Sequence, residues 1–228
     1  MASIQGGILI GDSITKYVTS QRLGISQHVT FSWPGAKVED LKRNFNNVII
    51  QKKHLCYLAV HVGTNNLSTE EPSETSRQLM DLIDFLIDAV PDKCKILYSL
   101  ILPRNDDYTL DRKRIQVNNR IRAFARRMPG RVVLINTECW FAKSSKRRQL
   151  SHRRGKEELY GRDGLHLSFG KGVAVYNSCF RSALKSNLLI PLDTVCPPTK
   201  AFVQQPRLQR RKCSVCRAEG HAEQACAI

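Results

Sequence analysis

Four short runs of aliphatic and β-branched residues lie along the chain, and glycine, proline or polar residues follow each of them. The runs cover Gly6 to Ile10, His54 to Val62, Lys95 to Leu102 and Arg131 to Ile135. Runs of this length and composition are typical of β-strands that are buried on both faces, as in a parallel sheet. The pattern therefore predicts a buried sheet whose strands are joined by long connections.

Apolar residues recur at helical spacing between and after these runs. The spacing predicts helices over Thr75 to Val90, Asp111 to Met128 and Ser168 to Leu184. Ser73 or Thr75 is placed to cap the first of these helices. Since strand and helix alternate, we expect βαβ crossovers and a parallel sheet that is covered by helices on both faces.

The composition changes after about residue 190. Residues 191–212 contain four prolines and end in the basic run Arg207 to Lys212, which is typical of an extended linker. Residues 213–226 concentrate cysteine and histidine. We therefore expect an α/β domain over residues 1–190, a basic linker over 191–212 and a small separate module over 213–226.

The charge balance narrows the choice of partner. The chain has 36 Lys and Arg against 20 Asp and Glu, which gives a formal net charge of +16. An excess of this size favours nucleic acid as the partner, with an anionic membrane surface second and plain solubility as the simplest alternative.

The N-terminal residues, the absence of a long apolar stretch and the cysteines together indicate the cellular compartment. Met1 to Gly7 lacks the basic and apolar regions of a secretory signal, and no stretch approaches the ~20 apolar residues of a membrane span. The eight cysteines are then expected to be reduced thiols. These features predict an intracellular protein, in the cytoplasm, the nucleus or both.

Three polar segments follow or flank the predicted elements. Ser13 follows the first strand in a turn at Gly11, Gly63 to Asn66 follows the second strand, and Asp163 to His166 precede the last helix. The carboxyl ends of parallel strands meet at one edge of a sheet, where ligands bind. A nucleophile, a base and its orienting acid are the parts of a serine hydrolase. Taken singly, Ser13 fits a helix cap and His166 a hydrogen-bonded core histidine.

These segments resemble the motif blocks of the SGNH (GDSL) hydrolases. Gly11-Asp12-Ser13 resembles the first block, Gly35 the glycine of the second, Gly63 to Asn66 the third and Asp163 to His166 the last. All four stand in the family's order. The resemblance implies a three-layer, flavodoxin-like α/β fold with a central parallel sheet, and a serine esterase that acts on carboxylic esters, with short acyl groups as the default.

The resemblance also implies a role for each residue. Ser13 would be the nucleophile, His166 the general base and Asp163 the residue that orients and stabilises the imidazole. The backbone N–H groups of Ser13 and Gly35, with the side-chain amide of Asn65, would form the oxyanion hole. This chemistry needs no cofactor.

Three neighbouring residues have less direct roles. The third block of the family usually ends in aspartate, whereas this chain has Asn66, which we expect to fix the loop. Asp12 is expected to be a structural turn residue, and His61 to pack behind the third block without a catalytic role.

A separate motif stands near the C-terminus. Cys213, Cys216, His221 and Cys226 supply three thiolates and an imidazole, a set that satisfies tetrahedral Zn²⁺ without a vacancy and so predicts a structural site. Metal coordination would supply the folding energy of so short a segment. The spacing resembles the CCHC zinc knuckle of nucleocapsid-like proteins.

Nucleic-acid binding by this tail rests on charge. The positions that stack bases in typical knuckles are Ser214 and Ala222 here, which offer little stacking surface. Contact with phosphates is instead expected from basic residues of the linker and knuckle, namely Arg207, Arg210, Arg211, Lys212 and Arg217. We expect weak, salt-sensitive binding to RNA or single-stranded DNA, with protein–protein contact as the alternative.

A second basic run, Lys143 to Lys156, precedes the predicted catalytic Asp163. A solvated loop is the ordinary explanation for such a run, and docking of acidic polymers or anionic lipid headgroups beside the cleft is the other.

The whole arrangement is similar to the esterase-bearing proteins of LINE-type retrotransposons and to host genes derived from them. The alternative function is a nucleic-acid-binding protein whose hydrolase domain is an inactive scaffold. A third possibility is acyl transfer, in which an alcohol replaces water as the acceptor.

Overall fold

The computed structural model describes residues 6–45, 55–142 and 155–188. Predictions for the linker, for residues 213–226 and for most of the second basic run fall outside these residues. Within them, a parallel sheet runs in the order β2-β1-β3-β4-β5. Its strands are β1 (Gly6–Gly11), β2 (His28–Ser32), β3 (Leu55–His61), β4 (Lys95–Ser99) and β5 (Val132–Ile135).

Helices occupy the connections between the strands and follow the last of them. They are α1 (Ser20–Leu23), α2 (Val38–Phe45), α3 (Pro72–Ala89), α4 (Thr109–Ala125), α5 (Glu138–Phe141) and α6 (Lys171–Leu188). Single 3-10 turns cover Ser13–Tyr17, Asn66–Ser68 and Glu157–Leu159. None of the helices in the described ranges is long and apolar enough to cross a membrane.

The helices form a layer on each face of the sheet. On one face, α2, α3 and α4 bury Leu41, Leu82 and Ile121 in a core that includes Val60 of β3. On the other face, α6 buries apolar residues, among them Tyr176, against strand residues whose side chains point to that face, such as Leu97. The predicted three-layer α/β domain with a central parallel sheet is therefore confirmed.

The strand order places the loops of interest side by side. It is a doubly wound order: β2 is added on one side of β1, and β3, β4 and β5 are added on the other. Ligands bind outside the carboxyl ends of the strands at the point between β1 and β3 where this order reverses. Gly11, Ser32 and His61 end β1, β2 and β3 at the same level, because Gly11 pairs with both of the others. The segments after these three strands therefore share one edge.

The predicted cap of the long helix α3 is wrong. The helix begins at Pro72, and its N-cap residue Glu71 makes no side-chain capping bond. Proline suits the first helical position because its fixed φ is helical and its missing N–H has no partner there. Thr75 lies inside the helix and donates from Oγ1 to Glu70 Oε2 at 3.1 Å.

The last helix begins a few residues later than the predicted Ser168. Ser168 Oγ accepts a hydrogen bond of 2.9 Å from the Gly172 N–H in the first turn of α6. The serine thus acts at the helix entrance rather than inside the helix, as its short polar side chain favours.

Candidate active site

Ser13 stands at the start of the 3-10 turn that follows β1. Asp12 caps this turn, since its Oδ1 accepts from the Ile14 N–H at 3.0 Å. A side chain at Gly11 would place its Cβ 2.5 Å from Thr15 Cγ2 and 2.7 Å from the His61 carbonyl oxygen, so the close turn requires glycine. The local sequence thereby presents Ser13 at the carboxyl edge of the sheet.

Asp163 and His166 share one tight turn. Asp163 Oδ1 accepts from the N–H groups of Leu165 and His166, both at 3.0 Å. Gly164 has a φ of +67°, which glycine adopts without strain, and its carbonyl oxygen accepts from the Asn105 N–H at 2.8 Å. The turn is thus held both from within and from the loop after β4.

The three side chains form a hydrogen-bonded line. Asp163 Oδ2 lies 2.6 Å from His166 Nδ1, and His166 Nε2 lies 3.0 Å from Ser13 Oγ. Because an ionised carboxylate only accepts, it keeps the proton on Nδ1 and leaves Nε2 free to accept the serine proton. This is the geometry that a nucleophile and its general base require.

The ionisation of Asp163 fits this arrangement. Slight burial acts to raise the pKa of Asp163, but the His166 side chain and the Leu165 and His166 N–H groups outweigh it and hold the pKa below its usual value. The His166 and Asp163 side chains are 49% and 52% exposed, so the pair is open to solvent and substrate.

The proposed oxyanion donors stand on the segments after β1, β2 and β3. Gly35 has a φ of +76°, and among the described residues neither its N–H nor that of Ser13 has a hydrogen-bond acceptor. Asn65 donates one amide hydrogen to the Ala36 carbonyl oxygen at 2.9 Å, and its second hydrogen remains available. Within the described ranges, each of the three groups that the motifs indicated thus keeps an N–H hydrogen free, and they lie on the segments after β1, β2 and β3.

Asn66 is fully buried and holds its loop, as expected for this departure from the family pattern. Its Oδ1 accepts from the Val38 N–H at 3.2 Å, and its Nδ2 donates to Glu70 Oε1 at 2.8 Å and Gln78 Oε1 at 3.0 Å. An ionised aspartate could not make the last two bonds, since it has no hydrogen to donate.

Asp12, which precedes Ser13, and His61, which ends β3, are both buried. Burial raises the pKa of Asp12 to about 7, against opposing effects of the Ile14 N–H and the His166 charge. Burial lowers the pKa of His61 to about 4, and its ring packs edge-on against Tyr176 with centroids 5.7 Å apart. Asp12 is a turn residue and His61 a packed core histidine, as the sequence predicted.

The loop after β4 supports the site in a way that no sequence motif indicated. The buried Arg104 pairs with Asp106, and its Nη1 lies 3.5 Å from the Thr64 carbonyl oxygen. The next residue, Asn105, is the one that holds Gly164. A lone arginine after a strand carries no pattern in the sequence, and only the tertiary structure shows that it joins two site loops.

The remaining predicted site residues lie outside the described ranges. They are the zinc ligands Cys213, Cys216, His221 and Cys226, and the phosphate-binding candidates Arg207, Arg210, Arg211, Lys212 and Arg217. In the part of the chain that the structure describes, no group of three or more His, Cys, Asp or Glu residues is arranged to hold a metal ion.

Comparison with known proteins gives matches to solved structures. A GDSL-like lipase from Bacteroides thetaiotaomicron matches with a TM-score of 0.64 and 16% identity, over 82% of this chain and 90% of that one. A lipase/acylhydrolase from Enterococcus faecalis matches with a TM-score of 0.59 and 15% identity, over 86% and 100%. The chain has the fold of the GDSL-type hydrolases.

An acetyl xylan esterase matches as well, with a TM-score of 0.60 and 18% identity over 78% of this chain and 99% of that one. No family model and no curated protein matches the sequence. At these identities the likeness establishes the fold, and the chemistry has to be argued from the site itself.

Proposed function

We propose that the chain is a serine esterase that hydrolyses carboxylic esters. The observation that carries the proposal is the line of Ser13, His166 and Asp163, with 3.0 Å between the nucleophile and the base and 2.6 Å between the base and the acid. Ester-hydrolysing neighbours of the same fold support it.

Each residue has a defined part in the proposed reaction. Ser13 Oγ attacks the ester carbonyl carbon while His166 Nε2 takes the serine proton, and Asp163 stabilises the resulting imidazolium. His166 then returns the proton to the leaving alcohol, which leaves the acyl group on Ser13. Water, deprotonated by His166, releases the acid and restores the serine. The N–H groups of Ser13 and Gly35 and the Asn65 amide would stabilise both tetrahedral oxyanions.

Short acyl esters are the proposed substrates. The acetyl xylan esterase among the structural neighbours acts on acetyl esters, and the half-exposed Asp163–His166 pair leaves room for a bulky leaving group. An alcohol in place of water would make the same acyl-enzyme a transferase.

Hydrolysis of p-nitrophenyl acetate tests the proposal. We expect turnover by the wild-type chain to vanish in Ser13→Ala and His166→Ala, and a fluorophosphonate to label the wild type but not Ser13→Ala. Ser186→Ala, an exposed serine of α6, is the matched control and should retain full activity. Folded wild-type protein without labelling or turnover, across several acyl lengths, would instead support the scaffold alternative.

For the tail we propose a structural zinc knuckle that binds single-stranded nucleic acid weakly. The support is the ligand spacing of Cys213, Cys216, His221 and Cys226 together with the basic linker. About one zinc per chain is expected, and Cys213→Ser should lose it. RNA affinity that stayed flat between low and high salt would contradict the electrostatic account.

A further inference from the structure

Two of the loops with proposed oxyanion donors are joined side to side. Asn65 Nδ2 donates to the Ala36 carbonyl oxygen at 2.9 Å, next to Gly35 in the chain. Two residues further on, the Val38 N–H donates to Asn66 Oδ1 at 3.2 Å. Adjacent asparagines after β3 thus hold the loop after β2 at two points, one through a donor and the other through an acceptor.

The direction of the Asn66 amide is set from outside the site. Its Nδ2 faces Glu70 Oε1 at 2.8 Å and Gln78 Oε1 at 3.0 Å, and Gln78 Nε2 in turn donates to Glu74 Oε1 at 3.0 Å. Since carboxylates only accept, Glu70 and Glu74 force both amides to donate toward them. The Asn66 oxygen is thereby turned toward Val38.

Because the Asn66 side chain is buried, its amide has to keep this orientation, with the oxygen toward Val38. The Asn66 side chain has no exposed surface, so water cannot take over a lost bond. An aspartate at this position would offer an oxygen to Val38 but would place its other oxygen against the Glu70 carboxylate and the Gln78 carbonyl. A buried carboxylate at position 66 and the half-buried Glu70 carboxylate, at hydrogen-bond distance, repel unless one of them binds a proton.

We infer that Asn66 is a positioning residue of the oxyanion hole, which holds the Gly35 loop against the Asn65 loop and does so only as an amide. The inference rests on the proposed esterase function. Asn66 does not touch the reacting atoms. It acts through Val38 on the loop that carries the Gly35 N–H, and through the chain on Asn65.

A double-mutant cycle with Glu70 tests this inference. Asn66→Asp should lower kcat about 10- to 100-fold, less than the ~10²–10³ of a lost oxyanion donor, because the donors shift but remain. Glu70→Gln alone should stay within about twofold of wild type, since its oxygen can still accept from Asn66. Combined with Asn66→Asp, the new glutamine amide can donate to the new carboxylate and should restore much of the lost kcat.

The readouts separate positioning from simple loss of structure. Each rate is divided by the concentration of chains that a fluorophosphonate labels when the labelling reaction is complete. Unfolded chains are not labelled, so they do not enter the calculated kcat. The pH profile of kcat/KM should keep its shape in Asn66→Asp, because the contacts of Ser13, His166 and Asp163 are untouched. Unfolding temperatures of all three variants accompany the rates.

The outcomes are distinct. Loss in Asn66→Asp with recovery in the double variant supports the inference. An active wild type whose Asn66→Asp variant keeps its normalised kcat, or whose double variant is no better than Asn66→Asp, overturns this inference and leaves the esterase intact. A wild type without Ser13-dependent turnover overturns both.

Discussion

The buried carboxyl group of Asp12 should make the stability of the chain fall as pH rises. Asp12 is 1% exposed, its Oδ1 accepts from the Ile14 N–H, and its Oδ2 is buried without a hydrogen-bond partner among the described residues. Replacing it by asparagine keeps the acceptor for Ile14 and removes the charge. The variant therefore isolates the cost of ionising a buried carboxyl group next to Ser13.

The magnitude follows from the pKa of Asp12, which burial raises from 3.8 to about 7. Between these values the folded chain holds a proton that the unfolded chain has lost, so the free energy of unfolding decreases with rising pH. At ~1.36 kcal/mol per pKa unit the full decrease is about 4 kcal/mol, of which about 3 kcal/mol falls between pH 5 and pH 8.

Urea unfolding of wild type and Asp12→Asn at pH 5 and pH 8 measures this effect. Burial also lowers the pKa values of His28 and His61 to about 4, so their contribution to stability rises with pH and opposes that of Asp12. Because both proteins contain these histidines, their contribution cancels when the two are compared. The stability of Asp12→Asn relative to wild type should be about 3 kcal/mol greater at pH 8 than at pH 5.

Asp88→Asn, an exposed aspartate of α3, is the control and should show no comparable change between the two pH values. If the difference between Asp12→Asn and wild type is the same at pH 5 and pH 8, the carboxyl group of Asp12 does not carry a raised pKa, and the reasoning from burial is refuted.

Asp163→Asn should lower kcat for p-nitrophenyl acetate by about 10²–10⁴-fold with KM little changed, because the amide no longer fixes the Nδ1 proton of His166. Steady-state kinetics measure this effect. A kcat near the wild-type value would exclude Asp163 from the triad. Gly7→Ala should lower the stability by about 1–3 kcal/mol, because its Cβ would lie 1.9 Å from Tyr57 Cζ. Urea unfolding checks the second expectation against Gly170→Ala, where a Cβ would meet nothing within 4 Å, and equal stability of the two variants would contradict it.

The sequence predicted β1, β3, β4 and β5 and missed β2, which is one of the two edge strands of the sheet. Strands β1, β3, β4 and β5 coincide with the four apolar runs, because burial on both faces leaves little room for polar side chains. Strand β2 carries half-buried polar residues such as Thr30 and Ser32, whose hydroxyl groups bond to the Val18 and Asp12 carbonyl oxygens. Such a strand has no apolar signature.

The candidate site was predictable to the extent that its residues sit in short motifs. Ser13, Asn65 and His166 stand at strand ends or before a helix, where position alone suggests a role. The bonds of Asn66 to Glu70 and Gln78 depend on how α3 packs beside the loop, and Arg104 depends on the loop after β4. Tertiary contacts of this kind leave no periodicity in the sequence.

The proposed nucleophile Ser13 and the proposed base His166 lie 153 positions apart in the chain, and His166 stands shortly before α6, the last helix among the described residues. During synthesis at ~5–20 residues per second, about 8–30 s pass between the addition of Ser13 and that of His166. A nascent or truncated product that ends before this point holds a serine without a base. The time at which ester hydrolysis begins during synthesis would therefore report when the domain has folded, and no separate folding probe would be needed.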